Sequence, residues 1–165
     1  MYRIFLQKTY EIEDLWCYDP CTSDKGHWSD NTGLTFDTNG MLITKETILD
    51  ISYPSDYVVE FTLVEPTGSY NTWTGSPRCA NVGVVGDNGG TLYYQTINPY
   101  SYSAERGRFS ANDKIKFVVE NGSATLYLND VSKRTVTATN DKLGLLTSPD
   151  NANHLKIKDL TIKAL

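Results

Sequence analysis

At 165 residues the chain fits one domain able to bury about two-thirds of its unfolded surface around a single core, so no second domain is required. Hydrophobic residues make up 39% and charged residues 21%, which excludes a disordered polyelectrolyte, and eleven Tyr and twelve Gly favour strands and turns over long helices. A formal net charge of −5 and the lack of any Lys/Arg cluster argue against a nucleic-acid partner, and no apolar run is long enough to insert into a membrane as a helix.

Residues 1–9 read as a linker or a first edge strand, and Met1-Tyr2-Arg3-Ile4-Phe5-Leu6-Gln7 lacks the apolar core of a secretory signal. The chain is therefore expected to be unsecreted, already processed, or delivered within a larger assembly. A strand is predicted over Tyr10 to Trp16, with Glu11 and Glu13 on its solvent side. Cys17, Cys21, His27 and Cys79 are the one conceivable zinc set, but a single Cys-x₃-Cys with a distant third thiol is poor zinc spacing. Free, partly buried thiols are the simpler expectation, and no cofactor is predicted.

Short strands follow at Gly33 to Phe36 and Met41 to Thr44, divided by a turn at Thr38-Asn39-Gly40. Tyr57, Val59, Phe61 and Leu63 alternate with Glu60 and Thr62, which is a half-buried strand expected to stop at Pro66. Between Pro66 and Ala104 only Arg78 and Asp87 are charged, yet the stretch holds Tyr70, Trp73, Tyr93, Tyr94, Tyr100 and Tyr102 among Ser, Thr, Asn and Gly.

That composition suits a binding surface. Tyr and Trp supply rigid apolar area with a polar tip, and small amides and hydroxyls supply adaptable hydrogen bonds. Tyr70, Trp73, Tyr94, Asn98, Tyr100 and Tyr102 are the predicted ligand-binding residues, with Arg106 and Arg108 of Glu105-Arg106-Gly107-Arg108 as charged donors at the rim. The competing structural reading makes Tyr93 and Tyr94 strand residues, one of them in the core, and makes the Glu105 to Arg108 segment an exposed turn. Strands are also predicted at Asn81 to Val85 and Thr91 to Thr96. Between them Asp87-Asn88-Gly89-Gly90 offers oxygen ligands to calcium, but it lacks EF-hand spacing and reads first as a hairpin turn.

The strongest local signal is Lys114 to Glu120, then Asn121-Gly122, then Ser123 to Leu128. Asn-Gly supplies the two positive-φ positions of a type I′ turn, and with it at the tip Ile115 pairs with Leu128, Phe117 with Leu126 and Val119 with Ala124 on one face. Further strands are predicted at Ser132 to Ala138 and Lys142 to Leu146. After the turn at Ser148-Pro149-Asp150-Asn151, Leu155, Ile157, Leu160 and Ile162 point inward and Lys156, Lys158, Thr161 and Lys163 outward. The phase slips by one across Lys158-Asp159, as a β-bulge requires. About ten short antiparallel strands predict an all-β two-sheet sandwich.

No nucleophile elbow, zinc-protease helix motif or phosphate loop occurs. The stretches Tyr57-Val58-Val59-Glu60-Phe61, Lys116 to Gly122 with Tyr127-Leu128-Asn129, and Leu155 to Ile162 resemble the concanavalin A-like lectin/glucanase superfamily, its laminin-G-like jelly rolls in particular. The resemblance implies a jelly roll that binds sugar or a cell-surface receptor, as in adhesins and phage or virion appendages. Its glucanases carry Glu-x-Asp-x-x-Glu on one strand, which this sequence lacks; Glu11-Ile12-Glu13-Asp14 has neither the spacing nor the last acid. The expected role is thus non-catalytic recognition of a glycan or cell-surface receptor, in an extracellular or virion-surface setting, with a structural part in a virion or surface assembly as the alternative and glycoside hydrolysis as the least favoured one.

Overall fold

The structure, a computed structural model, describes residues 15–67, 76–86, 92–97, 100–106, 110–139, 142–146 and 154–165. The predicted strand over Tyr10 to Trp16 falls largely outside them, as do the turns at Asp87 to Gly90 and Ser148 to Asn151.

The described residues form strands and no helix. They are β1 (Leu15–Asp19), β2 (Leu34–Asp37), β3 (Gly40–Ile43), β4 (Thr47–Ile48), β5 (Tyr57–Thr67), β6 (Ser76–Cys79), β7 (Val82–Gly86), β8 (Leu92–Ile97), β9 (Tyr100–Arg106), β10 (Lys114–Glu120), β11 (Ser123–Leu128), β12 (Val131–Thr137), β13 (Gly144–Leu146) and β14 (His154–Ala164). An eight-stranded antiparallel sheet runs β12-β11-β10-β5-β14-β3-β2, with β1 also on β14, and a six-stranded sheet runs β4-β13-β6-β7-β8-β9. The all-β, two-sheet sandwich is as expected. No helix among the described residues is long and apolar enough to cross a membrane.

The first sheet follows the alternation of its sequence. Ile115 faces Leu128, Phe117 faces Leu126 and Val119 faces Ala124 in the ladder, the expected register, and all six are buried. Asn121 and Gly122 turn at φ of 49° and 73°, so the Asn-Gly tip has the positive φ values a tight hairpin needs. The bulge in β14 is also present: its pairing with β5 shifts between Lys158 and Thr161, where Asp159 has φ 54°. Leu155, Ile157, Leu160 and Ile162 then all reach the core.

Three expectations are corrected. Pro66 does not end β5, which continues to Thr67 and pairs Pro66 with Leu155. The ladder between β5 and β10 goes no further than Thr62, so Pro66 lies where β5 has a neighbour on one side and its missing N–H is not needed on the other. Lys156 does not point into solvent; it is 6% exposed, and its ammonium donates to the Asp37 carboxylate at 2.7 Å, which satisfies the buried charge. The segment through Glu105 and Arg106 is the end of strand β9 and not a turn.

Phe61, Phe117, Leu126, Ile157 and Ile162 of the first sheet and Val82, Val84, Leu92, Tyr94 and Leu145 of the second belong to one buried core. Burying each large apolar side chain contributes about 1.5 to 3 kcal/mol. At one edge Arg134 of β12 donates to the Ser101 hydroxyl of β9 at 2.8 Å, tying the two sheets together.

Candidate functional site

In the six-stranded sheet the side-chain alternation of β8 decides what faces out. Leu92, Tyr94 and Thr96 are buried, so Tyr93 and Gln95, both half-buried, stand on the other face. Across the ladder Gln95 pairs with Gly83, Gly83 with Arg78, and Arg78 with Gly144, which makes one continuous row over four strands.

The two glycines shape this row. A Cβ on Gly83 would lie 3.0 Å from both the Pro77 carbonyl oxygen and the Arg78 Cβ, and one on Gly144 would lie 3.2 Å from the Arg78 Nε. The Arg78 side chain therefore lies along the sheet beside bare backbone, and its guanidinium donates to Glu46 at 2.9 Å. Its side chain is 39% exposed, so the planar fork is anchored at one end and open to solvent. Arg78 and Glu46 neutralise each other. With Tyr93 and Gln95 beside them, the face offers an aromatic ring, an amide and guanidinium donors with no net charge.

Of the predicted ligand-binding residues, Tyr94 is withdrawn: it is 1% exposed, because its place between Leu92 and Thr96 turns it into the core, where the Lys133 ammonium lies 5.5 Å from its ring centroid. Tyr100, Tyr102 and Arg106 are in β9, opposite Ile97, Gln95 and Leu92 respectively, so β9 extends the same sheet beyond Gln95. Tyr70, Trp73, Asn98 and Arg108 lie outside the described residues. Sequence reasoning missed Arg78, Gln95 and both glycines. The signal available was Arg78 itself, one of two charges in the long uncharged stretch.

Cys21 and Cys79 are buried, the latter with its sulfur 3.3 Å from the Tyr57 hydroxyl. Asp19 is fully buried, accepts the Cys21 N–H at 2.7 Å, and has Oδ2 3.8 Å from His27 Nδ1. Among the described residues no group of three or more His, Cys, Asp or Glu side chains is placed to hold a metal ion. The calcium candidate Asp87 to Gly90 and the acids Glu11 and Glu13 lie outside those residues.

Hydrogen bonds hold several carboxyls below their ordinary range: Asp37 through Lys156 and the Asn39 N–H, Asp130 through Lys116, Asp24 through Asn31 and the Gly26 N–H, and Asp30 through the Thr32 N–H. They stabilise turns and strand ends.

No protein-family model matches the sequence, and no curated protein does either. Solved structures do match in fold. A carbohydrate-binding module, CBM66 from Bacillus subtilis, is 14% identical with a TM-score of 0.55 over 84% of this chain and 96% of that one. A Bacillus licheniformis β-glucanase is 12% identical with a TM-score of 0.59 over 90% and 97%. A Bacillus subtilis protein of unknown function with a galectin-like fold is 8% identical with a TM-score of 0.66 over 92% and 96%. The chain shares the jelly-roll sandwich fold of these structures, which include both a glucanase and a carbohydrate-binding module.

Proposed function

We propose that the chain is a non-catalytic recognition module that binds a neutral carbohydrate on the solvent face of the six-stranded sheet. The observation that carries this is the row Gly144, Arg78, Gly83 and Gln95, with Tyr93 on the same face. The glycines let the Arg78 side chain lie flat against the sheet, Tyr93 supplies an apolar surface, and Arg78 and Gln95 supply donors and an acceptor for hydroxyls. The Arg78 to Glu46 pair removes the net charge that an anionic sugar would seek. The fold it shares with a carbohydrate-binding module supports the reading, and so does the absence of Glu-x-Asp-x-x-Glu from the sequence.

Trp73, Tyr70, Asn98, Tyr100, Tyr102, Arg106 and Arg108 belong to this proposal as the further contacts expected from the sequence, with a glycan or cell-surface receptor as partner and an extracellular or virion-surface setting. A glycan array of neutral polysaccharides tests it, followed by calorimetry on Arg78→Gln and Trp73→Ala. Each substitution should weaken binding by about 2 kcal/mol, as loss of an interface anchor does, and leave the melting temperature nearly unchanged. A folded chain that binds no neutral glycan would defeat the proposal. Association in light scattering without glycan binding would instead favour a structural part in a virion or surface assembly.

A further inference from the structure

The sandwich carries a cleft at the end where β5 begins and the β10 to β11 turn closes. It is an open cleft of about 1020 Å³ between the segment 50–57, Val119 and Gly122 of the hairpin, and Ala138, Thr139 and Lys142. That volume lies just above the range, about 300 to 1,000 Å³, usual for small-molecule sites.

Its aromatic wall is held rigidly. The Tyr53 hydroxyl accepts the Leu143 N–H at 3.2 Å and donates to the Leu49 carbonyl at 3.4 Å. Its ring tilts at 57° against the buried Tyr57 ring, with centroids 4.9 Å apart, and Tyr53 is itself only partly buried. A ring fixed at its tip and flank loses little conformational freedom when a ligand packs on it.

The polar lining narrows the ligand. Asp50 and Lys142 form an ion pair with each other, so neither is an open charge. Asp56 accepts the Asn121 N–H at 3.0 Å, and that single bond leaves most of its acceptor capacity unused. Ser52, Ser55 and Thr139 add exposed hydroxyls. An anion would meet two carboxylates against one lysine already engaged. A neutral ring with an apolar C–H face and hydroxyls that donate to Asp56 meets complementary groups throughout.

We infer that this cleft is a second site for a neutral saccharide, with lining residues distinct from those of the sheet face. It rests on the reading of the module as a binder of neutral glycans, but not on that reading's choice of surface.

The test is a titration of the isotope-labelled full chain with the methyl β-glycosides of glucose, galactose and mannose, followed by amide chemical shifts. At least one glycoside should shift Asp50 to Tyr57, Gly122 and Thr139. Thr139→Trp, an exposed change at the rim, should weaken that response about tenfold or more, whereas Arg78→Gln should leave it intact. Shifts confined to β6 through β9 overturn the cleft and spare the sheet face. Shifts in the cleft with a silent sheet face support the cleft and defeat the other surface. No shifts at either, or cleft shifts unchanged in both Thr139→Trp and a second blocking variant, Ser55→Trp, overturn the inference.

Discussion

The outer faces of the two sheets are built on different terms. On the eight-stranded sheet the outward side chains engage one another: Lys116 pairs with Asp130 and lies 5.1 Å from the Tyr127 ring centroid, and the Thr125 and Thr135 hydroxyls bond at 3.0 Å. On the six-stranded sheet Arg78 lies beside two glycines, and the other outward groups among the described residues include a tyrosine and an amide. A face whose polar groups already satisfy each other has little to offer a ligand. On the other face Arg78 lies over the two glycines with its guanidinium anchored to Glu46 at one end and still partly exposed, so a planar donor group remains within reach of a ligand.

Substitutions should separate the two regions. The largest effect belongs to the first: Phe117→Ala should lower stability by about 3 to 5 kcal/mol in urea unfolding, and a loss under about 1 kcal/mol would show that the hairpin does not anchor the core. Gly40→Ala should follow at about 2 kcal/mol or more. Gly40 has φ 131°, and an added Cβ would come within 2.3 Å of the Ile157 carbonyl oxygen, which belongs to β14 and cannot swing aside. Asn121→Ala should cost about 1 kcal/mol, the strain of alanine at positive φ.

In the second region Arg78→Gln should change stability by less than about 1 kcal/mol, since its ion pair is exposed, while glycan binding falls sharply. A large stability loss there would erase the contrast and make Arg78 part of the scaffold.

The smallest effect is one of pH. Lys156 holds the Asp37 carboxyl below its ordinary value, so the stabilisation is fully present above the unfolded value of about 3.9 and is lost as pH falls through the lower folded value. Asp37→Asn should flatten the acid limb of a melting-temperature profile. An unchanged limb would mean that the buried Lys156 gains nothing from its partner's charge.

What could be read in the sequence followed the same division. The β10 to β11 hairpin was legible to the residue because turn chemistry and alternation agree there, and the β14 bulge was legible because the apolar phase slips at one place. Strand β6 was missed because Pro77 weakens its pattern and its turn uses Ala80 and Asn81, at φ 49° and 73°, in place of a turn dipeptide. Tyr94 was assigned to the binding surface although Leu92 and Thr96 set the alternation that buries it. Gly144 reaches the site only because β13 pairs with β6, a contact between distant parts of the chain that no local pattern announces.

The place of β14 bears on how the molecule is made. The strand near the C-terminal end lies in the middle of the larger sheet, between β5 and β3, and also carries β1. A sheet whose central strand follows its neighbours in chain order exposes the inner edges of β5 and β3 until His154 to Ala164 have emerged, and joining strands so far apart in the chain is intrinsically slow. During that interval those unpaired edges are open to other chains, which makes timely delivery of the last strand the step on which escape from aggregation depends.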